Sequence, residues 1–409
     1  TPHSGAKQMK NCYRPVRCRK IADNRYQFFN HNYFENAALS VKYTYFTNGI
    51  ETYSSTFDVN IAPQSSQEYE IDSLELEKDN HNSVVFEYLA GDFLIASEQI
   101  ILSEGKLSAD INSDGKTTVK PSENKLYITF DNGSMIFDKS TGFITSYIYK
   151  NHEMINSFPL GDFKGFAPAF YRAPLDNDRN ICKYWHTMGL QNTSNICKGS
   201  SFTDNGDNIV VTTNIKSIAN CILPVANTQI KYTIYPNGNI LVDVNCLGGG
   251  AVKLLPRFGV MLEMPKEYEN IKYFGLGEDV NLPDYKEHTI NKVYQITVDK
   301  LKEDYIKPQE SATRCDVRFA EITNASGFGL RFEAVSKPFV FSASHYTSNQ
   351  WAKAMHRDDL VDLPTTCVNI DSSVLGAGSN ACGPLPDKKD RVGSLSGKKL
   401  SFVVKPIGE

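Results

Sequence analysis

Tryptophan is nearly missing from this chain of 409 residues: Trp185 and Trp351 stand alone beside 21 Tyr and 23 Phe. A sugar-binding platform of exposed indoles therefore has little to draw on. A basic excess is missing as well. Lys and Arg number 43 against 47 Asp and Glu, a net charge of −4, and nucleic acid demands a basic face. No apolar stretch approaches the ~20 residues that cross a bilayer as a helix, and runs such as Phe339 to Phe341 are strand-sized. The nine cysteines are odd in number and irregularly spaced, which excludes a secreted disulfide framework. Free thiols suit a reducing compartment, so a cytoplasmic location is expected. No basic segment followed by an apolar one opens the chain at Thr1, so no signal peptide is read there.

What is present points to β-structure. The length exceeds a typical single core, so two domains are expected. The aromatic content of 11% favours pleated, half-buried surfaces. Strand-like runs occur at Tyr26 to Phe28, Leu39 to Phe46, Ile50 to Val59, Val84 to Phe93 and Ile100 to Leu102. Asn48-Gly49 sits between two of them, and both residues accept the positive φ of a tight hairpin turn. These runs predict an immunoglobulin-like β-sandwich over 1–102. Residues 103–124 are polar and rich in Ser, Asp, Gly and Lys, which reads as a linker. Hairpin signals resume at Asn132-Gly133 and Asn237-Gly238, so 125–409 is expected to form one large antiparallel β-sandwich. Helical periodicity is scarce. The clearest case follows Thr347 or Ser348 as N-cap, with Trp351, Ala354 and Met355 on one face.

Several motifs invite chemistry and fail on inspection. Asp110, Asn112, Asp114 and Gly115 open like a calcium loop, but Pro121 stands where a bidentate acid is needed. Cys182, His186 and Cys197 lack the paired short spacings of a structural zinc site. The acid pairs Asp176/Asp178, Glu278/Asp279 and Asp358/Asp359 could supply an acid and a base, but neighbouring acids are mostly solvated.

The segment Tyr171-Arg172-Ala173-Pro174-Leu175-Asp176-Asn177-Asp178 is different. Its Arg offers a planar fork of donors, and Asp176, Asn177 and Asp178 offer acceptors. The local reading is a rigid, hydrogen-bonded corner, structural or pinned against a neighbour. Further motifs follow in order: Leu255 to Gly259, Tyr273 to Glu278, Tyr305 to Glu310, Arg314 to Arg318, His356 to Leu360 and Asn369 to Asp371. Gly376-Ala377-Gly378 and Cys382-Gly383-Pro384 complete the series.

In this order and spacing, the chain resembles the C-terminal region of the large β-galactosidases of glycoside hydrolase family two. The likeness covers nearly the whole chain and is strongest after residue 122. It implies an immunoglobulin-like domain followed by a β-sandwich of the galactose-mutarotase-like supersandwich type. The family's members are retaining glycosidases acting on terminal β-D-galactose, with two carboxyl groups roughly 5 Å apart. Those groups and the family's Mg2+ lie on a (β/α)8 barrel. No residue here inherits their roles, so no cofactor and no catalytic residue is expected in this chain, and the barrel is its expected partner. The chain would be an excised portion of a longer enzyme or the small subunit of a split one. The resemblance also implies that this region walls the barrel's mouth. Two residues before Asn369, where the family often places a sugar-stacking Trp, stands Cys367, either facing the sugar or buried as a thiol. After Asn281-Leu282-Pro283-Asp284 the family commonly has Arg; Tyr285 stands there, so the family's tetramer is not assumed and a homo-oligomer stays open. A free carbohydrate-binding sandwich and a purely structural assembly module are the competing readings.

Overall fold

The computed structural model describes residues 2–408 except 108, 110, 112, 113 and 156–164. The chain is built from antiparallel sheets with a few short helices, as the all-β expectation requires. All nine cysteines are free.

The chain divides into two compact units. The first is Thr1–Lys106 with Phe274–Asp279 and Tyr285–Tyr294, and the second is Leu107–Tyr273, Val280–Asp284 and Gln295–Glu409. The division departs from the boundaries expected from sequence, because two segments far along the chain group with the N-terminal unit. The reason lies in their bonds. Lys7 Nζ pairs with Asp279 at 2.7 Å, Asn11 Nδ2 donates to Glu287 O at 2.8 Å, and Asn291 N donates to Gln99 Oε1 at 2.7 Å. Such pairings at long sequence separation leave no compositional trace.

In the first unit, Val16–Lys20, Arg25–Asn30 and Ser66–Glu70 form one sheet. Ala37–Thr47, Ile50–Ile61, Asn82–Ala90 and Phe93–Ser103 form the other. Alternate residues point inward, so Tyr26 and Phe28 from the first sheet meet Val41, Tyr43, Val84, Phe86 and Tyr88 from the second in one aromatic core. Asn48 and Gly49 adopt φ of 50° and 76° as the hairpin signal predicts. The expected strand through residues 84–93 is in fact broken at Gly91-Asp92, where the chain turns back.

Among the described residues, the second unit holds strands of three sheets. Thr118–Pro121, Lys125–Phe130, Gly133–Asp138, Phe143–Tyr149 and His152–Glu153 form a meander. Residues 118–121, read as linker, are thus a strand: Val119 alternates with polar neighbours and pairs with Ile128. The turn read at Asn132-Gly133 falls one residue earlier, at Asp131-Asn132, since Gly133 already pairs with Phe130 and Tyr149. Asp110 and Asn112 of the calcium-like run lie outside the described residues.

A larger sheet runs, within this unit, Thr193–Asp204, Ile209–Ala219, Leu223–Ile234, Ile240–Gly249, Lys399–Ile407, Gly329–Ala334 and Phe319–Thr323. A five-stranded sheet runs Ala167–Ala169, Arg257–Pro265, Thr365–Val374, Phe339–Ser344 and Arg314–Val317. One face of this last sheet is apolar and buried, with Val260, Leu262, Phe341, Val368 and Ile370 all fully enclosed. Its other face is also buried, but polar.

Candidate functional site

The Arg172 corner is a hydrogen-bonded unit held by one buried ion pair. Arg172 is fully buried, and its Nη1 donates to Asp178 Oδ2 at 2.7 Å and to Ala173 O at 3.0 Å. Its Nη2 donates to Leu375 O at 3.3 Å, and the guanidinium lies 5.6 Å from the centre of the Trp185 ring. Asp178 Oδ2 also accepts from Leu175 N at 2.8 Å, so one carboxylate fixes both the cation and the bend.

The corner reaches outward through its other two polar residues. Asn177 Nδ2 donates to Gly378 O at 2.7 Å, and Asp176 exchanges two bonds with the Gln309 amide. Asp284 takes the backbone N–H groups of Ala377 and Gly378 at 2.6 and 2.8 Å. The motifs around residues 172 and 284 therefore converge on one loop, 376–378, through Asn177 and Asp284, while Gln309 holds Asp176 of the corner. Asp284 needs no following Arg for this task.

The polar face of the five-stranded sheet is the second feature. The run Cys367-Val368-Asn369-Ile370-Asp371 alternates, so Cys367, Asn369 and Asp371 share one side. Across the ladders, Ser342 and Met261 lie opposite Asn369, and Ser344 and Glu263 lie opposite Cys367. Asp371 has no exposed surface. Arg257 Nε stands 3.0 Å from Asp371 Oδ2 as a charge pair, yet the approach lacks hydrogen-bond geometry and both carboxylate oxygens are without a hydrogen-bond partner. Burial raises the Asp371 carboxyl, Arg257 opposes the rise and Glu310 adds to it, leaving it pushed up to about 7. Gly259 makes room for this group, because a Cβ there would meet Asp371 Oδ1 at 2.3 Å.

Over this face lies the short helix Ser348–Lys353. Thr347 caps it by accepting from Gln350 N, and the Gln350 side chain accepts from Thr347 N in return. The expected face of Trp351, Ala354 and Met355 is only partly formed. Trp351 and Ala354 are buried, but the chain leaves the helix at Ala354, and Met355 is exposed with its N–H held by Asp359. Between the helix and the sheet is a cavity of about 30 Å³ bordered by Arg257, Glu310, Ser342, Trp351, Cys367 and Asn369. A compartment of about 60 Å³ adjoins it through Met261, Thr347, Ser348 and Asn369. Another of about 140 Å³ adjoins it through Tyr346 and Trp351.

Cys367, the candidate sugar contact, is buried at 3% exposure and packs with Ala169, Met261 and Leu363. Burial holds its thiol well above the usual range. It touches the cavity without presenting an open surface. The remaining sequence candidates do not assemble. Cys182 donates to Arg179 O, His186 bonds Tyr171 Oη at 3.0 Å and Cys197 donates to Lys139 O. Among the described residues no group of three or more His, Cys, Asp or Glu could hold a metal ion. Of the acid pairs, Asp178 is committed to Arg172, Asp279 pairs with Lys7, and Asp359 accepts from two backbone N–H groups that lower its carboxyl. Sequence reading missed the roles of Arg257, Glu310, Ser342 and Asp371. The signal available was the period-two run from Cys367 to Asp371, polar on one side and apolar on the other.

Comparison with known proteins is consistent with this arrangement. A β-galactosidase of Actinobacillus pleuropneumoniae is 29% identical over 399 residues, covering 94% of this chain and 38% of that protein. A β-galactosidase of Halalkalibacterium halodurans is 25% identical, covering 86% of this chain and 35% of that protein. The chain thus spans less than two fifths of the length of these relatives. Among solved structures, a galactose 1-epimerase from Lactobacillus acidophilus NCFM matches at a TM-score of 0.39 and 8% identity, over 72% of this chain and 99% of that one. The family described as beta galactosidase small chain matches residues 129–404. That span exceeds half the chain and takes in both the Arg172 corner and the polar sheet face, and the chain belongs to the beta galactosidase small chain family.

Proposed function

We propose that this chain is the non-catalytic part of a β-galactosidase, working with a (β/α)8 barrel that cleaves terminal β-D-galactose from lactose-type substrates. The observation that carries the reading is the family match over 129–404 in a chain covering only 38% of a β-galactosidase it resembles along nearly its full length. Retaining hydrolysis needs a proton donor and a carboxylate nucleophile, which the barrel would supply together with its Mg2+. The task left to this chain is positioning. Asn177 of the Arg172 corner and Asp284 stiffen the loop 376–378, and a stiff loop can wall a neighbouring active site at little entropic cost.

The test is complementation. A barrel-bearing chain that ends before the region corresponding to Thr1 is assayed for hydrolysis of a chromogenic β-galactoside, alone and mixed or co-expressed with this chain. Recovery of turnover supports the reading. Asp284→Ala should then reduce the recovered kcat/KM at least about tenfold, through loss of two charge-assisted bonds to the loop. A barrel that works equally well without this chain would overturn the proposal.

A further inference from the structure

We propose that Lys337, Lys398 and the Ser373 hydroxyl form a site for a phosphate dianion, free or as a monoester. All three belong to the second unit, at the ends of strands from two of its sheets. Lys337 stands shortly before Phe339–Ser344 and Lys398 directly before Lys399–Ile407, while Ser372 and Ser373 lie near the end of Thr365–Val374. Ser373 pairs with Phe258 and Asp371 with Gly259, which leaves Ser372 as the extra residue of a β-bulge. A bulge re-aims side chains, and here each serine meets one ammonium. Lys337 Nζ donates to Ser372 Oγ at 3.5 Å, and Lys398 Nζ donates to Ser373 Oγ at 3.1 Å. Ser372 spends its own O–H on Lys399 O at 2.9 Å, whereas Ser373 keeps a proton to donate.

Two neighbouring cations without an anion repel each other. Lys398 is half-buried, and desolvation together with the nearby Lys337 ammonium lowers it below the ordinary lysine value. Among the described residues neither lysine has an ion pair, and each ammonium bonds a single serine. Asp371, the residue before the bulge, is turned to Arg257 instead. The run 388–399 carries Lys388, Lys389, Arg391 and Lys399 beside Lys398, against Asp390 alone, so it does not supply the missing charge. Water can accept from both ammoniums but brings no charge, and a monocarboxylate offsets only one of the two. A phosphate dianion offsets both, and its oxygens can accept from two ammoniums and the Ser373 O–H together. Lysine binds phosphate as a point charge, so the site needs no planar fork of donors. Lys337 is exposed, which leaves the ligand a way in.

The test uses the whole chain at about pH 8, where phosphate is chiefly a dianion. Calorimetric titration with inorganic phosphate in about 0.1 M chloride should show saturable binding with a Kd of about 1 mM or tighter. Glycerol 2-phosphate is the second probe. If it binds as well as inorganic phosphate the site takes esterified phosphate, and if it is excluded the site takes the free ion. Lys337→Met and Lys398→Met keep the aliphatic stem and remove the charge, and each should weaken binding at least about tenfold. Lys388→Met removes an exposed cation that bonds neither serine, and should leave the Kd within about twofold. Should Lys398→Met not fold, Lys337→Met carries the test at an exposed position. The proposal falls if no saturable heat appears up to about 20 mM phosphate, or if acetate binds as tightly as phosphate. It also falls if folded Lys337→Met binds as the parent does, or if Lys388→Met loses as much as Lys337→Met. None of these outcomes bears on complementation of a barrel, so the two proposals fail separately.

Discussion

Burial without adequate hydrogen bonding sets the behaviour of Asp371. Its carboxyl is moved from 3.8 to about 7, chiefly by desolvation, because Arg257 neutralises it only in part. Across that window the folded chain binds more protons than the unfolded one. The stabilisation from this group is therefore complete below pH 3.8 and is lost as pH rises through about 7. Denaturant titrations of the parent and Asp371→Asn at about pH 5 and about pH 8 should show the parent losing stability relative to the variant. The steepest slope would be about 1.4 kcal/mol per pH unit for one proton. A difference that stays constant or grows with pH would mean that Asp371 is ionised throughout. Cys367, two residues earlier on the same face, poses a packing question. It lies at 3% exposure against a cavity of about 30 Å³, too small for an indole. Cys367→Trp should lower unfolding free energy by about 1–3 kcal/mol through overpacking. Cys367→Ala should cost less than about 1.5 kcal/mol, as only one sulfur is removed. In a barrel-complemented enzyme, a Cys367→Trp variant that folds with undiminished stability and lowers KM would show that the position opens toward substrate.

Among the elements, helix Ser348–Lys353 matters beyond its six residues because it carries Trp351 over the polar face. So short a helix has little stability of its own and relies on its ends. Thr347→Ala removes the acceptor for Gln350 N and should destabilise the chain by about 1 kcal/mol in urea unfolding. It should also make Trp351 fluorescence more easily quenched by iodide, while Thr347→Ser keeps both near the parent. An N-cap at Thr347 or Ser348 and the inward Trp351 were legible in the sequence, because both act within one turn; the reciprocal bond of Gln350 was not read there. So was Asn48-Gly49, whose two positive φ angles are a local demand. The all-β class was legible too, from apolar alternation. The contents of the polar face were not. Arg257, Ser342 and Asp371 meet through ladder pairings between strands separated by up to about a hundred residues, which no local window contains. For the same reason the attachment of residues 274–279 and 285–294 to the N-terminal unit escaped the reading. The corner at Arg172 was recognisable by composition, but its reach to Gly378 and Gln309 was not.

At the scale of the whole chain, the question is whether the described carboxyl groups could run glycoside hydrolysis unaided. A proton donor at neutral pH must keep its proton there and must reach the leaving oxygen. Asp371 meets the first condition at about 7 but has no exposed surface, so it cannot reach a glycosidic bond. Asp359 and Asp362 fail in the opposite sense. Two backbone N–H groups lower the first, and Lys266 with Tyr346 lowers the second, so both are ionised near neutrality. Glu333 is likewise lowered by Lys405 and Arg331 despite burial. Asp178, the innermost acid of the Arg172 corner, is spent on structure. The isolated chain should therefore hydrolyse a chromogenic β-galactoside no faster than buffer across about pH 5 to pH 8. The measurement needs protein from a host lacking its own β-galactosidase. Any residual rate should be challenged with Asp371→Asn and Asp359→Asn. Turnover that persists through repurification and collapses in either variant would place a working acid in this chain and overturn its non-catalytic assignment. A rate that tracks contaminant removal would leave the chemistry with the barrel.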